Sequence, residues 1–214
     1  MMPLDFLTLA KQCTPQISPI TMAAVVRTES DFNPYAIGVV RGQLLRQPSS
    51  EAEAIATVRA LEANGWRFSA GIAQINRANW SRYGLTERNV FDPCRNLATG
   101  AAILMDCFTS ARRAYVHPQT ALRASFSCYA SGNFSAGYRT GYVQRVVNSA
   151  RQPVPTVLDT VPAIAPIPVV SGTPDASVAR VRPKTGIYRP DQPDRSETPS
   201  GELGGDQVRS AVVF

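Results

Sequence analysis

The chain lacks several features that would mark other classes of protein. No apolar run approaches the roughly 20 residues that a membrane-spanning helix needs, so we expect no membrane span. The four cysteines have none of the short paired spacings of a zinc site, and we expect no metal. Histidine occurs once, at His117 beside Pro118, which excludes most histidine-based catalysis and predicts a surface loop residue. No nucleic-acid-binding motif or basic run is present, so we expect no nucleic-acid partner.

The C-terminal part is poor in large apolar side chains. Residues 151–214 contain no Trp, one Tyr and one Phe, but 10 of the 17 prolines. Such a segment cannot bury a core of its own, and its prolines favour extended, polyproline-like chain. We therefore expect one globular domain over residues 1–150 and a Pro-rich, disordered tail over residues 151–214.

The formal net charge of +6 lies entirely on the first of these parts. Residues 1–150 hold 15 Lys and Arg against 9 Asp and Glu, whereas the tail holds 7 of each. The basic residues are nearly all Arg and are scattered. They indicate either a general surface charge or attraction to a polyanionic polymer.

Hydrophobic periodicity predicts a mainly α domain with a small β element, an α+β architecture. Residues 36–48 favour a β-hairpin or loop, with Gly42 as the turn residue. Helices are predicted from Leu4 to Cys13, from Ser18 to Ser30, from the capping box Ser50-x-x-Glu53 to Asn64-Gly65, from Asp92-Pro93 through Leu97, Ala101, Leu104 and Phe108, around Leu122, Phe126 and Tyr129, and around Tyr142, Val143, Val146 and Val147.

Glu29 is the most informative residue. It follows Met22, Val25 and Val26 at helical spacing, so a carboxyl group lies on the face that packing would make apolar. Ser18 and Pro19 predict the start of this helix, and Asn33-Pro34 predicts its end. Desolvation there favours the protonated form and is expected to raise the pKa of Glu29, as a general acid near neutral pH requires. The alternative is a structural ion pair with an arginine such as Arg27.

Two short polar segments lie between the predicted helices. In Gly71-Ile72-Ala73-Gln74-Ile75-Asn76 both amides face one side if the segment is extended, and Gly71 allows close approach of the backbone to a ligand. The second segment, Tyr129-Ala130-Ser131-Gly132-Asn133, brings an aromatic ring and small polar groups to a helix end. Taken alone, each segment is a weak signal, because loop amides more often have a structural role than a ligand-binding one.

In chain order, these segments resemble the motifs of the lytic transglycosylases of the goose-type lysozyme-like superfamily. Glu29-Ser30 with the following Phe32-Asn33-Pro34 is similar to the first motif, and residues 71–76 are similar to the second, with Ala73 in place of Met. Residues 91–104 resemble the helix between the second and third motifs. Residues 128–132 match the third motif more weakly, because Ala130 replaces Asn. The stretch from about residue 5 to residue 148 looks most like the transglycosylase subunit of type IV secretion systems.

The resemblance implies a lysozyme-like helical domain that acts on peptidoglycan glycan strands in the periplasm without a cofactor. Glu29 would protonate the glycosidic oxygen and then accept the proton of the muramic acid 6-hydroxyl, which forms a 1,6-anhydro end. The expected substrate contacts are Ser30, Gly71, Gln74, Asn76 and Tyr129, and the tail is expected to bind other secretion subunits. Two alternatives stay open: a hydrolase with a second carboxylate that holds a water, and a non-catalytic assembly factor. Tyr129 could also merely cap the core beneath Glu29.

The cysteines favour two disulfides and an oxidising compartment, although four buried thiols remain an alternative. Cys94 and Cys107 lie on one predicted helix about 20 Å apart, too far for a bridge. Cys107 and Cys128 lie on consecutive helices joined by a short loop, which favours the pairs Cys107–Cys128 and Cys13–Cys94. Residues 1–10 lack the basic region and apolar length of a signal peptide, which leaves the export route open.

Overall fold

The computed structural model describes residues 5–154 and the backbone of residues 169–171. Its helices are α1 (Phe6–Cys13), α2 (Pro19–Ser30), α3 (Glu51–Ala63), α4 (Pro93–Ala114), α5 (Pro118–Ser131), α6 (Ala136–Arg139) and α7 (Tyr142–Ser149). Its strands are β1 (Ile37–Val39), β2 (Gly42–Leu44), β3 (Phe68–Ala70), β4 (Ile75–Asn76) and β5 (Val169–Ser171). The predicted mainly α fold with a small β element is confirmed. The four-residue helix α6 was not predicted.

Local capping signals set most helix starts. The side chains of Asp5, Ser50 and Asp92 accept hydrogen bonds from backbone N–H groups in the first turns of α1, α3 and α4. Helix α2 begins at Pro19 and ends at Ser30, in agreement with the predicted helix from Ser18 to Ser30, and it stops before Asn33-Pro34 is reached. The next two residues, Asp31 and Phe32, have left-handed φ angles of 50° and 64°, which end the helical hydrogen-bond pattern before the proline is reached.

A three-stranded antiparallel sheet in the order β1-β3-β4 lies beside the helices. The strands of residues 36–48 were located correctly, but their turn and partners were not. The turn is at Val40-Arg41, where Arg41 has a φ of 61°, and Gly42 begins β2. Strand β1 pairs with β3 and β2 pairs with β5. The N–H of Val40 donates to the carbonyl of Arg67, so the chain follows β3 beyond the end of β1.

The apolar stripes of the helices form one large core with the sheet. Leu97, Ala101 and Leu104 of α4 are fully buried, as their spacing predicts. Disulfides join Cys13 to Cys94, with Cα atoms 5.2 Å apart, and Cys107 to Cys128, with Cα atoms 6.1 Å apart. These are the pairs that the sequence favours, and they connect α4 to α1 and to α5.

Within residues 5–154, none of the helices combines the length and apolar character that a bilayer span requires. His117 is exposed at the start of α5, as expected. The predicted tail, residues 151–214, lies outside the described residues except for 151–154 and the backbone of β5, so its disorder stays a prediction.

Candidate active site

Glu29 lies in the last turn of α2, on the side of the helix that packs into the core. Met22, Val25 and Val26 on this side are fully buried, and Glu29 itself is half-buried. The hydroxyl of Tyr142, in the first turn of α7, donates a hydrogen bond of 2.5 Å to Oε1 of Glu29. The carboxyl group on an apolar face is therefore held by a phenol from a helix more than a hundred residues further along the chain.

Tyr142 is suited to this role because it is almost completely buried. Burial raises the pKa of Tyr142 well above its ordinary value of 10.0, and the neighbouring Tyr129 raises it further. At neutral pH the phenol is thus protonated and acts as the donor to the carboxyl. Sequence reasoning placed Tyr142 only in the apolar stripe of the last helix. The available signal was its hydroxyl, since a buried tyrosine usually finds a hydrogen-bond partner.

Arg27, the alternative partner considered for Glu29, directs its guanidinium elsewhere. It donates to the main-chain carbonyls of Ser149 and Gln152 at 3.1 and 3.4 Å, and to that of Pro153. Its guanidinium carbon also lies 5.1 Å from the centroid of the Phe32 ring. The arginine thus contacts the end of α7 and the residues that follow it.

A turn over residues 71–74, which connects β3 to β4, is contacted from three helices. Ser30 of α2 donates to the carbonyl of Ile72 at 2.7 Å. Tyr129 of α5 donates to the carbonyl of Ala73 at 2.5 Å. Asn96 of α4 accepts from the N–H of Ala73 at 2.7 Å. The second motif of the sequence therefore folds into a turn that is fixed beside the end of α2, immediately after Glu29.

Gly71 is buried, and the protein itself fills the space that its missing side chain leaves. A Cβ atom there would lie 2.1 Å from Nδ2 of Asn96 and 2.7 Å from the carbonyl oxygen of Val90. Its φ of 81° is also in the left-handed region. These two facts explain why glycine is required at this position. A contact between Gly71 and substrate stays a prediction.

The amides of Gln74 and Asn76 do not follow the extended alternation considered from the sequence. Gln74 closes the turn, since its N–H donates to the carbonyl of Gly71 at 2.9 Å. Its φ angle of 52° is left-handed. Its side-chain amide donates to the carbonyls of Ala36 and Gly71. Asn76 instead caps the short 3₁₀ helix over residues 77–79 by accepting from the N–H of Ala78.

The structure brings four of the predicted site residues, Ser30, Gly71, Gln74 and Tyr129, to one turn beside Glu29. Burial raises the pKa of Tyr129 above its ordinary value of 10.0. A hydroxyl that is bonded to the main chain fits the alternative in which Tyr129 supports the core under Glu29. Direct sugar contacts by Ser30, Gln74, Asn76 and Tyr129 stay predictions.

Other carboxylates of the described domain have structural roles. Asp31 is the exposed C-cap of α2, Asp92 caps α4, and Glu87 forms an ion pair with Arg59. Glu53, which the sequence marks only as part of a capping box, is fully buried and paired with Arg46. These side chains stabilise helices or charge pairs of the domain.

A half-buried carboxyl at a helix end, beside a turn that three helices hold in place, fits the lysozyme-like class of glycan-cleaving enzymes that the sequence resembles. The family profile described as "Transglycosylase SLT domain" matches residues 6–145. The chain belongs to this family.

Some of the similar proteins are named as type IV secretion system proteins. The type IV secretion system protein virB1 of Brucella suis biovar 1 (strain 1330) is 52% identical over 187 residues, covering 83% of this chain and 74% of that protein. The protein of the same name from Brucella abortus (strain 2308) is 51% identical over 187 residues, with the same coverage of 83% and 74%. Protein virB1 of Agrobacterium fabrum is 32% identical over 152 residues, covering 71% of this chain and 61% of that protein. No solved structure matches the chain.

Proposed function

We propose that this protein is a peptidoglycan lytic transglycosylase. It cleaves the β-1,4 bond between N-acetylmuramic acid and N-acetylglucosamine and leaves a 1,6-anhydromuramic end. The observation that carries the proposal is the carboxyl of Glu29, held by Tyr142 beside the turn of residues 71–74 in a transglycosylase SLT domain.

The reaction needs a single carboxyl group. Protonated Glu29 donates its proton to the glycosidic oxygen as the bond from the muramic acid C1 to that oxygen breaks. The resulting carboxylate accepts the proton of the 6-hydroxyl, whose oxygen forms the new bond to C1. The acid is regenerated, no water is consumed, and no cofactor enters. The Tyr142 hydroxyl keeps the carboxyl oriented during both transfers.

A hydrolase on the same fold would need a second carboxylate that positions a water molecule. The carboxylates described above serve as helix caps or lie in ion pairs. Glu53 is the most deeply buried of them, and the Arg46 guanidinium, with the N–H and hydroxyl of Ser49, lowers its pKa to about 2. These roles favour the transglycosylase, whose nucleophile belongs to the substrate.

The relatives named as type IV secretion system proteins support a role in such a system. We infer that the enzyme opens the cell wall locally in the periplasm while the secretion apparatus assembles, and that the tail binds other subunits. The net charge of +6 fits a partner with acidic groups, such as peptidoglycan with its peptide carboxylates. Deletion of residues 155–214 is expected to preserve cleavage of purified glycan while it weakens binding to the apparatus.

Replacement Glu29→Gln tests the catalytic assignment. The amide has nearly the same size but cannot donate or accept the required proton, so we expect cleavage to fall by about 10²–10⁴-fold. Purified cell wall is digested and the muropeptides are measured by mass spectrometry. Anhydro ends are lighter than hydrolysed ends by one water molecule.

The exposed Glu51 offers a matched Glu→Gln control, which is expected to cleave like the unmodified protein. Circular dichroism establishes that both variants are folded. Substantial cleavage by folded Glu29→Gln would contradict the assignment of Glu29 as the catalytic residue. Hydrolysed ends produced by the unmodified protein would support the hydrolase alternative. If Glu29→Ala retained biological activity, the assembly-factor alternative would be favoured.

A further inference from the structure

Arg27 connects the end of α7 to the helix that carries Glu29. Its guanidinium donates to the carbonyls of Ser149, Gln152 and Pro153, so one side chain serves three main-chain acceptors. One residue further along α2, the Thr28 hydroxyl lies 3.1 Å from that of Ser149. The last turn of α2 is thus bonded to the last residue of α7 and to the chain beyond it.

The chemistry of these contacts suits an arginine. The last carbonyls of a helix have no partner within the helix and carry a partial negative charge. A guanidinium presents five N–H donors in a planar fork, whereas a lysine presents a compact point charge. Helix α7 has only 8 residues, a length that is marginal without tertiary contacts. Its position therefore depends on tertiary contacts, which include its buried residues Tyr142, Val143 and Val146 and the bonds to Arg27.

The same helix carries Tyr142 at its other end. Tyr142 and Ser149 are separated by about 10 Å along the helix axis at 1.5 Å per residue. Helices α2 and α7 are consequently joined at two separate points, the Tyr142–Glu29 bond and the Arg27 contacts. Two separate contacts determine the crossing angle between two short helices, whereas a single bond leaves that angle undetermined.

We propose that Arg27 is a positioning residue for the reaction, which acts by holding α7 so that the Tyr142 hydroxyl meets the carboxyl of Glu29. This inference rests on the proposed function of Glu29. Arg27 does not touch the substrate in this role. Without Arg27, α7 can move and the Tyr142 hydroxyl no longer orients the carboxyl of Glu29. We expect this to lower kcat and to leave KM for the glycan nearly unchanged.

The test compares Arg27→Ala with Arg112→Ala in the full chain. Arg112 makes the same kind of contact at the end of α4, where it donates to the carbonyls of Tyr115 and Val116. We expect kcat on isolated glycan strands to fall by about 10–100-fold for Arg27→Ala, as misplacement of a catalytic group can cost about 10²-fold. Arg112→Ala is expected to keep the unmodified kcat. Arg27→Lys is expected to lie between Arg27→Ala and the unmodified protein.

A double variant that combines Arg27→Ala with Tyr142→Phe distinguishes a positioning role of Arg27 from a general contribution to the stability of the fold. If Arg27 acts through Tyr142, the double variant loses no more activity than Tyr142→Phe alone. Additive losses, or an unmodified kcat with only a lower Tm, would overturn the proposal. If Arg27→Ala does not fold, Arg27→Lys replaces it in the same comparison. Activity of Glu29→Gln would instead overturn the proposed function, so the two failures are distinguishable.

Discussion

Asn96 shows how much of the site depends on one side chain. It is fully buried, and its amide group bonds the N–H of Ala73 and the carbonyls of Ala70 and Val90. These bonds fix both ends of the turn of residues 71–74, and Gly71 provides the space that the amide occupies. Asn96 lies within residues 91–104, which resemble a helix of the family, but the sequence predicted no role for its side chain.

Replacement Asn96→Ala is therefore expected to lower the free energy of unfolding by about 3 kcal/mol. It leaves buried main-chain groups without partners, at about 1–3 kcal/mol for each unsatisfied group. Urea denaturation measures the change. The control is Asn64→Ala, which removes an exposed amide bonded to the carbonyl of Ala60 and is expected to change stability by less than about 0.5 kcal/mol. Equal losses in the two variants would contradict this role of Asn96.

At the scale of elements, the connection between β2 and α3 depends on an ion pair. Glu53, in the first turn of α3, accepts from the Arg46 guanidinium and from the N–H and hydroxyl of Ser49. These donors lower its pKa from 4.5 to about 2. A carboxyl whose pKa is lowered in the folded state stabilises that state wherever it is ionised.

The stabilisation from Glu53 is thus fully present above pH 4.5 and is lost as the pH falls towards about 2. Replacement Glu53→Gln is expected to lower Tm at neutral pH and to flatten the fall of Tm over this acid range. Differential scanning calorimetry at several pH values measures both effects. Glu51→Gln, at an exposed position on the same helix, is the control. An unchanged pH dependence in Glu53→Gln would contradict the assigned cause.

At the scale of the whole molecule, two disulfides enclose loops of different length around α4. Cys13–Cys94 has a sequence separation of 81 residues and Cys107–Cys128 one of 21. In the chain-entropy description, loops of these lengths contribute about 3–5 kcal/mol each. The longer loop ties the first helix to the rest of the domain.

Non-reducing peptide mapping of protein from an oxidising compartment is expected to yield the Cys13–Cys94 and Cys107–Cys128 peptides. Reduction is expected to lower Tm, because it removes a constraint on the unfolded chain. The unreduced protein kept at the same pH is the control. A Cys13–Cys107 peptide, or four free thiols, would show that the pairing is wrong.

Local patterns in the sequence determined the described helices other than α6, the starts of α3 and α4 at Ser50 and Asp92, and the helical position of Glu29. A helical stripe, a capping residue and a proline act within a few residues of chain, so their effect can be recognised without knowledge of the fold. The disulfide pairs also followed, because two helices joined by a short loop lie side by side. Local patterns did not predict the turn at Arg41, which has a left-handed φ angle. This turn follows a strand, β1, that pairs with the distant strand β3.

Only the tertiary structure decided what surrounds Glu29. Tyr142 is 113 residues away in sequence, and Asn96 is 23 residues from Ala73. Their partners depend on how α7 and α4 pack, and packing angles follow from contacts across the whole core. The sequence also suggested Arg27 as a partner for Glu29, whereas the fold brings the end of α7 within its reach. Helical periodicity determined the position of the Glu29 carboxyl on α2. The packing of α7 against α2 determined its hydrogen-bond donor, Tyr142.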